Sequence, residues 1–131
     1  MTAESDFAYY LEQQGRGTRG TNIFINTKPA APDALVAVFG YAGGAPERTH
    51  DTSGNSRPSV QVWVRGDVND PDPARTLIES IFNDFDGLTN TTINGSFYVG
   101  IDGIQSGATN LGKDELNRPE FSWNFTCLKR R

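Results

Sequence analysis

Residues 58–66, which read PSVQVWVRG, contain the strongest secondary-structure signal in the chain. Three valines alternate there with larger side chains. The valines are Val60, Val62 and Val64, and the residues that follow each of them are Gln61, Trp63 and Arg65. Successive side chains of a β-strand point to opposite sides of the sheet, so strict alternation predicts a strand. We predict one aliphatic face and one mixed face.

Two segments have the spacing of an amphipathic helix. The clearer one carries an apolar stripe formed by Leu77, Ile78, Ile81, Phe82 and Phe85. Asp72 is placed to cap its start, Pro73 suits its first turn, and Gly87 suits its end.

A shorter helix is predicted near the N-terminus. Its periodic residues are Phe7, Tyr10, Leu11 and Gln14. Ser5 or Asp6 is placed to cap it, and Gly15 is placed to end it.

The remaining apolar runs predict four further strands. They cover residues 22–27, 34–41, 97–105 and 119–128. The resulting order is α-β-β-β-α-β-β, which favours an α+β fold with two helices on one face of a mostly antiparallel sheet. Residues 42–57 have the composition of a long mobile loop, and no repeat or change in composition divides residues 1–131, so we expect one domain.

Charge and cysteine content limit the class of protein. A net charge of −4 and a pI near 4.9 disfavour a protein that grips nucleic acid, because that task needs clustered Lys and Arg. Cys127 has no cysteine partner for an intrachain disulfide, and its position in an alternating strand predicts a small buried hydrophobe. The longest apolar run, residues 34–39, is too short to span a bilayer, so we expect a soluble protein made inside a cell.

The glycines at 15–20, GRGTRG, match the G-x-G-x-x-G pattern of dinucleotide-binding loops. In those proteins a strand precedes the glycines and a helix follows them. Here a helical segment precedes them and an apolar strand follows. We interpret the pattern as a helix end leading into a loop rather than as a phosphate site.

No pattern in the sequence predicts catalysis, a cofactor or a metal. His50 is the sole histidine and lies in the loop region without a partner for base or metal chemistry. The acidic residues of 67–72 resemble the start of a calcium loop but lack its glycine and its final glutamate. Helix capping explains them with fewer assumptions.

The turn before the last strand carries both signs of charge. Asp114 and Arg118 belong either to a solvated connection or to a subunit contact, in which they would pair with a neighbouring subunit. The sequence leaves these two interpretations open.

Four sequence pieces occur in an order that resembles a known family. They are GRGTRGTNIF at 15–24, Lys28-Pro29 with Pro32-Asp33, PSVQVWVRG at 58–66, and LGKDELNRPE at 111–120 ahead of a strand containing Asn-Phe. Together they resemble the minor capsid and tail-completion proteins of long-tailed double-stranded-DNA bacteriophages, and in particular the tail terminators.

The resemblance implies a structural protein of the virion rather than an enzyme. Such a protein is made in the host cytoplasm and forms a ring, commonly of six subunits, at the head-proximal end of the tail tube. There it stops tube growth and offers a surface for head-tail joining. Its partners would be further copies of itself, the tail tube protein and a head-completion or stopper protein.

The resemblance also directs attention to surface residues. The predicted interface residues are Arg16, Arg19, Thr21, Asn22, Asp114 and Arg118. DNA would pass through the lumen without specific binding, since an acidic ring repels phosphate. Two alternatives stay open: a neck stopper or another head-completion ring, and, from a different class, a small enzyme or ligand-binding domain.

Overall fold

The computed structural model describes residues 2–44 and 55–130. The elements of these residues are helix α1 (Ala3–Gln13), strands β1 (Ile23–Ile25), β2 (Leu35–Gly44) and β3 (Asn55–Arg65), helix α2 (Pro71–Phe85), and strands β4 (Leu88–Ile93), β5 (Ser96–Gly103), β6 (Thr109–Lys113) and β7 (Pro119–Arg130). The predicted α+β class is confirmed, and the seven predicted elements occur in the predicted order, with β4 and β6 as additional strands.

The strands form one mostly antiparallel sheet in the order β1-β2-β3-β7-β5-β4. Only the pairing of β1 with β2 is parallel among the described strands. Strand β7 is long enough to pair with β3 along one edge and with both β5 and β6 along the other. The centre of the sheet is therefore β3 and β7, whose side chains alternate most strictly in the sequence.

Both helices pack on one face of this sheet. Helix α1 contacts β1, β2 and β3, and α2 contacts β7, β3 and β5. Between them, the ring of Phe7 stacks on Phe85 with centroids 4.1 Å apart, and Phe125 meets Phe7 edge-on at 5.7 Å. The predicted valine face of β3 points into this core, where all three valines are buried.

The helix starts differ from the prediction by a few residues. Helix α1 is capped by Thr2, whose hydroxyl accepts from the Ser5 backbone N–H at 3.2 Å, and not by Ser5 or Asp6. Helix α2 begins at Pro71 after Asp70, so the predicted start at Asp72 and Pro73 is two residues late. Two prolines in one turn made either position compatible with a helix start.

Strands β4 and β6 were absent from the prediction. Strand β6 is exposed throughout, and in β4 only Ile93 is buried, so neither strand has the apolar alternation that marks a half-buried strand. Strands β2 and β3 also extend into the predicted loop of 42–57, to Gly44 and from Asn55. The rest of that loop, including His50, lies outside the described residues.

A buried polar cluster ties α1 to the sheet. Asp6 and Tyr98 are both fully buried, and the Tyr98 hydroxyl donates to the Asp6 carboxylate at 2.7 Å. The Lys129 ammonium lies 3.6 Å from the same oxygen, and Asn94 donates to the other oxygen at 3.4 Å. Burial, with the hydrogen bond to Asp6, raises the pKa of Tyr98 far above its usual value. Asp6 thus connects α1 to β5 and β7 inside the core. It does not cap α1, which the sequence predicted of Ser5 or Asp6.

Cys127 is buried as predicted. Because it is buried, we expect the folded protein to lose stability at alkaline pH. Burial raises the pKa of the Cys127 thiol to about 12, whereas an unfolded thiol ionises near about 8.5. Above that lower value the unfolded chain loses a proton that the folded chain keeps, so stability falls as pH rises towards 12.

We expect the free energy of unfolding to fall by up to about 1.4 kcal/mol per pH unit in this range because of Cys127 alone. Urea unfolding at several pH values between about 8 and 10 measures the slope. Cys127→Ala should have a shallower slope than the wild type, whatever its stability at neutral pH. Equal slopes would contradict the assignment.

Candidate subunit interface

The face of the sheet opposite the helices carries a block of uncharged side chains, which we call the open face. Three rows of residues, each in register across β2, β3 and β7, make up this block. The rows are Ala37, Trp63 and Ser122; Phe39, Gln61 and Asn124; and Tyr41, Ser59 and Thr126. Ala37 and Ser122 are buried, and the other seven side chains are partly or fully exposed and carry no charge. In a chain with 21% charged residues such a group is informative, because loss of charge marks the centre of protein interfaces.

Aromatic rings form one side of the open face. The rings of Phe39 and Trp63 meet edge-on with centroids 6.2 Å apart, and Tyr41 is 45% exposed. The Lys28 ammonium lies 4.0 Å from the centre of the Trp63 ring and also pairs with Glu120. The Lys28 ammonium therefore covers the Trp63 ring, and the carboxylate of Glu120 balances its charge.

Two primary amides form the middle of the open face. Gln61 and Asn124 are direct partners in the register of β3 and β7. Asn124 uses its backbone to hold the 104–105 segment: its N–H donates to the Gln105 side chain at 3.1 Å, and its carbonyl accepts from Ile104 at 3.0 Å. Among residues 2–44 and 55–130 neither side-chain amide has a hydrogen-bond partner, so both can bond to a surface that offers donors or acceptors.

Two buried arginines hold the segment 29–33 across the end of the sheet. Arg65 donates to the carbonyls of Pro29, Pro32 and Asp33 at 2.7, 2.8 and 2.9 Å. Arg118 donates to the Ala30 carbonyl and lies 3.3 Å from the Asp33 carboxylate. Burial, followed by the neighbouring charge of Arg118, lowers the pKa of Arg65. An arginine still keeps its charge under such a shift, so both remain donors.

The turn at 114–118 is fixed by the Asp114 side chain. Its carboxylate accepts from the backbone N–H of Leu116 at 3.0 Å and of Arg118 at 2.9 Å, and it pairs with the Arg118 guanidinium at 2.8 Å. Desolvation raises the pKa of Asp114, but the hydrogen bonds from Arg118 and Leu116 outweigh it and lower the pKa overall. The bond to Asp114 in turn raises the pKa of Arg118.

The turn at 114–118 carries Leu116, and the turn before α2 carries Val68. We call these two apolar side chains the knob. The Asn69 N–H donates to the Asn117 carbonyl at 2.9 Å, and Lys113 donates to the Asn69 side chain at 2.9 Å, so the two turns are joined. Val68 is 47% exposed and Leu116 is 57% exposed. Large exposed aliphatic groups on a hydrogen-bonded support are suited to contact with another surface.

The glycine-rich loop after α1 is anchored to α2. Arg16 makes two hydrogen bonds to Asp84, at 2.7 and 2.9 Å, and the bond to Asp84 raises the pKa of Arg16. Arg19 bonds to Glu12 through its backbone and side chain, at 2.9 and 3.2 Å. Asn22 accepts from the Thr18 N–H at 2.7 Å. These contacts order the loop within the chain.

The structure gives each predicted interface residue a definite position. Thr21 is exposed, while Arg16, Arg19 and Asn22 make the bonds described above within the chain. Asp114 and Arg118 pair with each other, and Arg118 is buried. A cavity of about 120 Å³ is lined by residues of the 16–22 loop and of the 64–67 segment, and both lie at the same end of the domain.

The open face was not recognised from the sequence as a site. The part of the sequence that indicated this face was the strand at 58–66, where Gln61 and Trp63 alternate with valines. The contribution of Phe39 and Asn124 depended on pairing across strands that are far apart in the chain.

Among the described residues, no three His, Cys, Asp or Glu side chains are arranged to hold a metal. In the same residues, no helix is long and apolar enough to cross a membrane.

Comparison with known proteins identifies the family of the chain. A family model described as bacteriophage tail terminator protein matches residues 10–130. Comparison with curated protein sequences finds no match. Among solved structures, a chain described as part of the virion of a native gene transfer agent particle is similar, with a TM-score of 0.66 and 14% identity over 100% of both chains. Another solved chain is similar with a TM-score of 0.52 and 13% identity over 96% of both. At such identities the structures show a shared fold.

The family match covers nearly the whole chain, and the chain belongs to the bacteriophage tail terminator family. The resemblance inferred from the sequence is thereby confirmed. The protein is a structural component of the virion, at the tail or neck.

Proposed function

We propose that this protein forms a closed ring, most simply of six copies, on the head-proximal end of the tail tube. The ring stops addition of tube subunits and offers the surface to which the head joins. The chain acts in it as one domain. The observation that carries the proposal is the tail terminator family match over residues 10–130, on a chain with an uncharged open face.

A closed ring needs two different patches on each subunit, because each copy contacts one neighbour with one patch and the other neighbour with another. The open face and the loops at the end of the sheet are such patches. They differ in shape and chemistry, and both are fixed by hydrogen bonds within the subunit. The loop residues Arg16, Arg19, Thr21 and Asn22 and the turn at 114–118 belong to the second patch in this proposal, with Asp114 and Arg118 as its internal support.

The ring also contacts the tail tube protein and a head-completion or stopper protein. DNA passes through its lumen without specific binding. The net charge of −4 per copy supports this part of the proposal, because an acidic ring repels the phosphate backbone and lets DNA slide.

A tube-growth experiment tests the proposal. Tail tube protein is polymerised with this protein present from the start, or added after growth has begun, and tube lengths are measured by electron microscopy. We expect growth to stop at amounts far below one copy per tube subunit, because only tube ends are occupied. Late addition should preserve existing length and block further growth.

Two results would contradict the proposal. Tubes that keep growing in excess protein would show that the tube end is not its site. Binding to tail-less heads without any effect on tubes would instead identify a stopper of the neck.

A further inference from the structure

We propose that residues 16–20 cover the outer edge of strand β1 and prevent copies of this chain from joining there by strand pairing. The cover is an autoinhibitory contact, because it occupies the backbone groups through which β1 would bond to a second copy. This role goes beyond the proposed ring and holds whether or not that ring forms.

Strand β1 lies at one end of the sheet and pairs with β2 on one side. The residues that flank β1 show which backbone groups face β2. The Asn22 carbonyl accepts from β2, and the Asn26 N–H donates to β2, both at 2.8 Å. Because backbone groups alternate between the two sides of a strand, those of Ile23 and Ile25 point away from β2. These two residues would carry the bonds to an added strand.

The cover takes the outward groups of Ile23. The Ile23 N–H donates to the Thr18 carbonyl at 3.1 Å, and the Ile23 carbonyl accepts from the Gly20 N–H at 2.9 Å. Arg19 and Ile23 thereby form a parallel β-bridge, so the cover bonds to β1 as another strand would. In residues 2–44 and 55–130, the outward backbone groups of Ile25 have no hydrogen-bond partner. One free residue is too short an edge for a partner strand, since strands usually have about three residues or more.

Two ion pairs fasten the cover to the helices. Arg16 makes two hydrogen bonds to the Asp84 carboxylate of α2, and Arg19 bonds to the Glu12 carboxylate of α1. The Asp84 side chain is only 10% exposed, and a shielded pair with two bonds is the stronger kind of ion pair. Arg19 also lies over the Tyr9 ring, 5.3 Å from its centre. The cover is thus held by both helices through two arginine side chains.

Strands β4 and β6 also have a free edge, and both edges are irregular. In β4, Asn90 has a φ of 48° and is skipped in the pairing with β5. In β6, the register with β7 shifts between Asn110 and Gly112, and the Gly112 N–H bonds to the Asn110 side chain. Irregularities of this kind disfavour the addition of a strand. The edge that best suits an uncovered β1 is therefore β1 of a second copy.

Pairing of β1 with β1 uses the same edge on both copies and closes on two of them. It forms a dimer with a two-fold axis, which cannot grow into a ring through that contact. The cover thus prevents a dimer that would compete with the assembly of larger rings.

The test releases the cover by two routes. The double variant Arg16→Ala with Arg19→Ala removes both anchors. Gly20→Pro removes the N–H that bonds to Ile23, and proline cannot adopt the φ of 84° found at Gly20. Arg75→Ala is the matched control, because it removes an exposed ion pair of α2 that joins Arg75 to Glu79 and not to the cover.

Ile25→Pro, introduced into both released variants, blocks the proposed pairing. The Ile25 N–H points away from β2, so proline leaves the pairing of β1 with β2 intact but removes a donor that an added strand needs. We expect the released variants to dimerise at least about tenfold more tightly than the wild type and Arg75→Ala. Ile25→Pro should return that affinity to the wild-type value. Native mass spectrometry counts the copies, and hydrogen exchange should show a newly protected Ile25 amide in the released dimer.

The inference is overturned if both released variants dimerise no more than Arg75→Ala. It is also overturned if a dimer forms and persists with Ile25→Pro, since the contact would then lie elsewhere. The tube-growth experiment separates these outcomes from failure of the proposed function. If the released variants form no dimer while the wild type stops tube growth, the cover is wrong and the terminator role stands. If they dimerise through β1 while the wild type leaves tubes growing, the cover stands and the role is wrong.

Discussion

Replacement of Asp6 by alanine should lower the free energy of unfolding by about 3–5 kcal/mol, the usual effect of removing one partner from a buried charge pair. Asp6 is fully buried, accepts from the Tyr98 hydroxyl at 2.7 Å and lies 3.6 Å from the Lys129 ammonium. Its loss leaves the buried Tyr98 hydroxyl without its acceptor and removes one negative charge that faces the Lys129 ammonium. Urea unfolding followed by fluorescence measures the change.

Asp6→Asn is the matched control for this prediction. The amide keeps the shape of the side chain and an oxygen that accepts from Tyr98, but it removes the charge that faces Lys129. We expect a smaller loss, about 1–2 kcal/mol. In the double variant with Tyr98→Phe, the effect of Asp6→Ala should shrink, because the two residues share one bond. Additive effects would show that Asp6 acts independently of Tyr98.

The second large effect is expected for Phe7→Ala, also about 3–5 kcal/mol. Phe7 is fully buried, stacks on Phe85 at 4.1 Å with the rings 7° from parallel, and meets Phe125 edge-on. The ring joins α1, α2 and β7, so its removal opens a cavity where three elements meet. Because a domain is stable by about 5–15 kcal/mol, this one change removes a large share.

Phe7→Leu separates the volume of the ring from its aromatic contacts. It keeps most of the apolar volume and should cost about 1–2 kcal/mol. Equal losses for the alanine and leucine variants would contradict the cavity explanation. Thermal unfolding of both variants beside the wild type gives the comparison.

Much of the fold could be predicted because its buried elements carry regular patterns. The alternation of valines in β3 and the apolar stripe of α2 reflect burial on one side, and both lie in the centre of the molecule. Strands β4 and β6 lack such a pattern, because β6 is exposed throughout and Ile93 alone is buried in β4. One local signal for the β4–β5 hairpin was present: Asn94-Gly95, both with positive φ, forms its two-residue turn.

The candidate site was harder to predict because its contacts join distant parts of the chain. Arg16 and Asp84 are 68 residues apart, and nothing in their local sequence indicates the bond between them. Asp114 and Arg118 are four apart, and the sequence left open whether they belong to a solvated connection or to a subunit contact, because their pairing with each other depends on the fold of the turn. The row of Phe39, Gln61 and Asn124 exists only after three strands pair in register.

The central claim is that this family member occupies the head-proximal end of the tail tube as a ring. The most direct measurement is electron microscopy of tail tubes incubated with the protein carrying a small gold label. We expect a closed ring on one end of each tube, with label at that end alone, and no further tube subunits beyond it. Label spread along the tube wall, or found only on heads, would contradict the account.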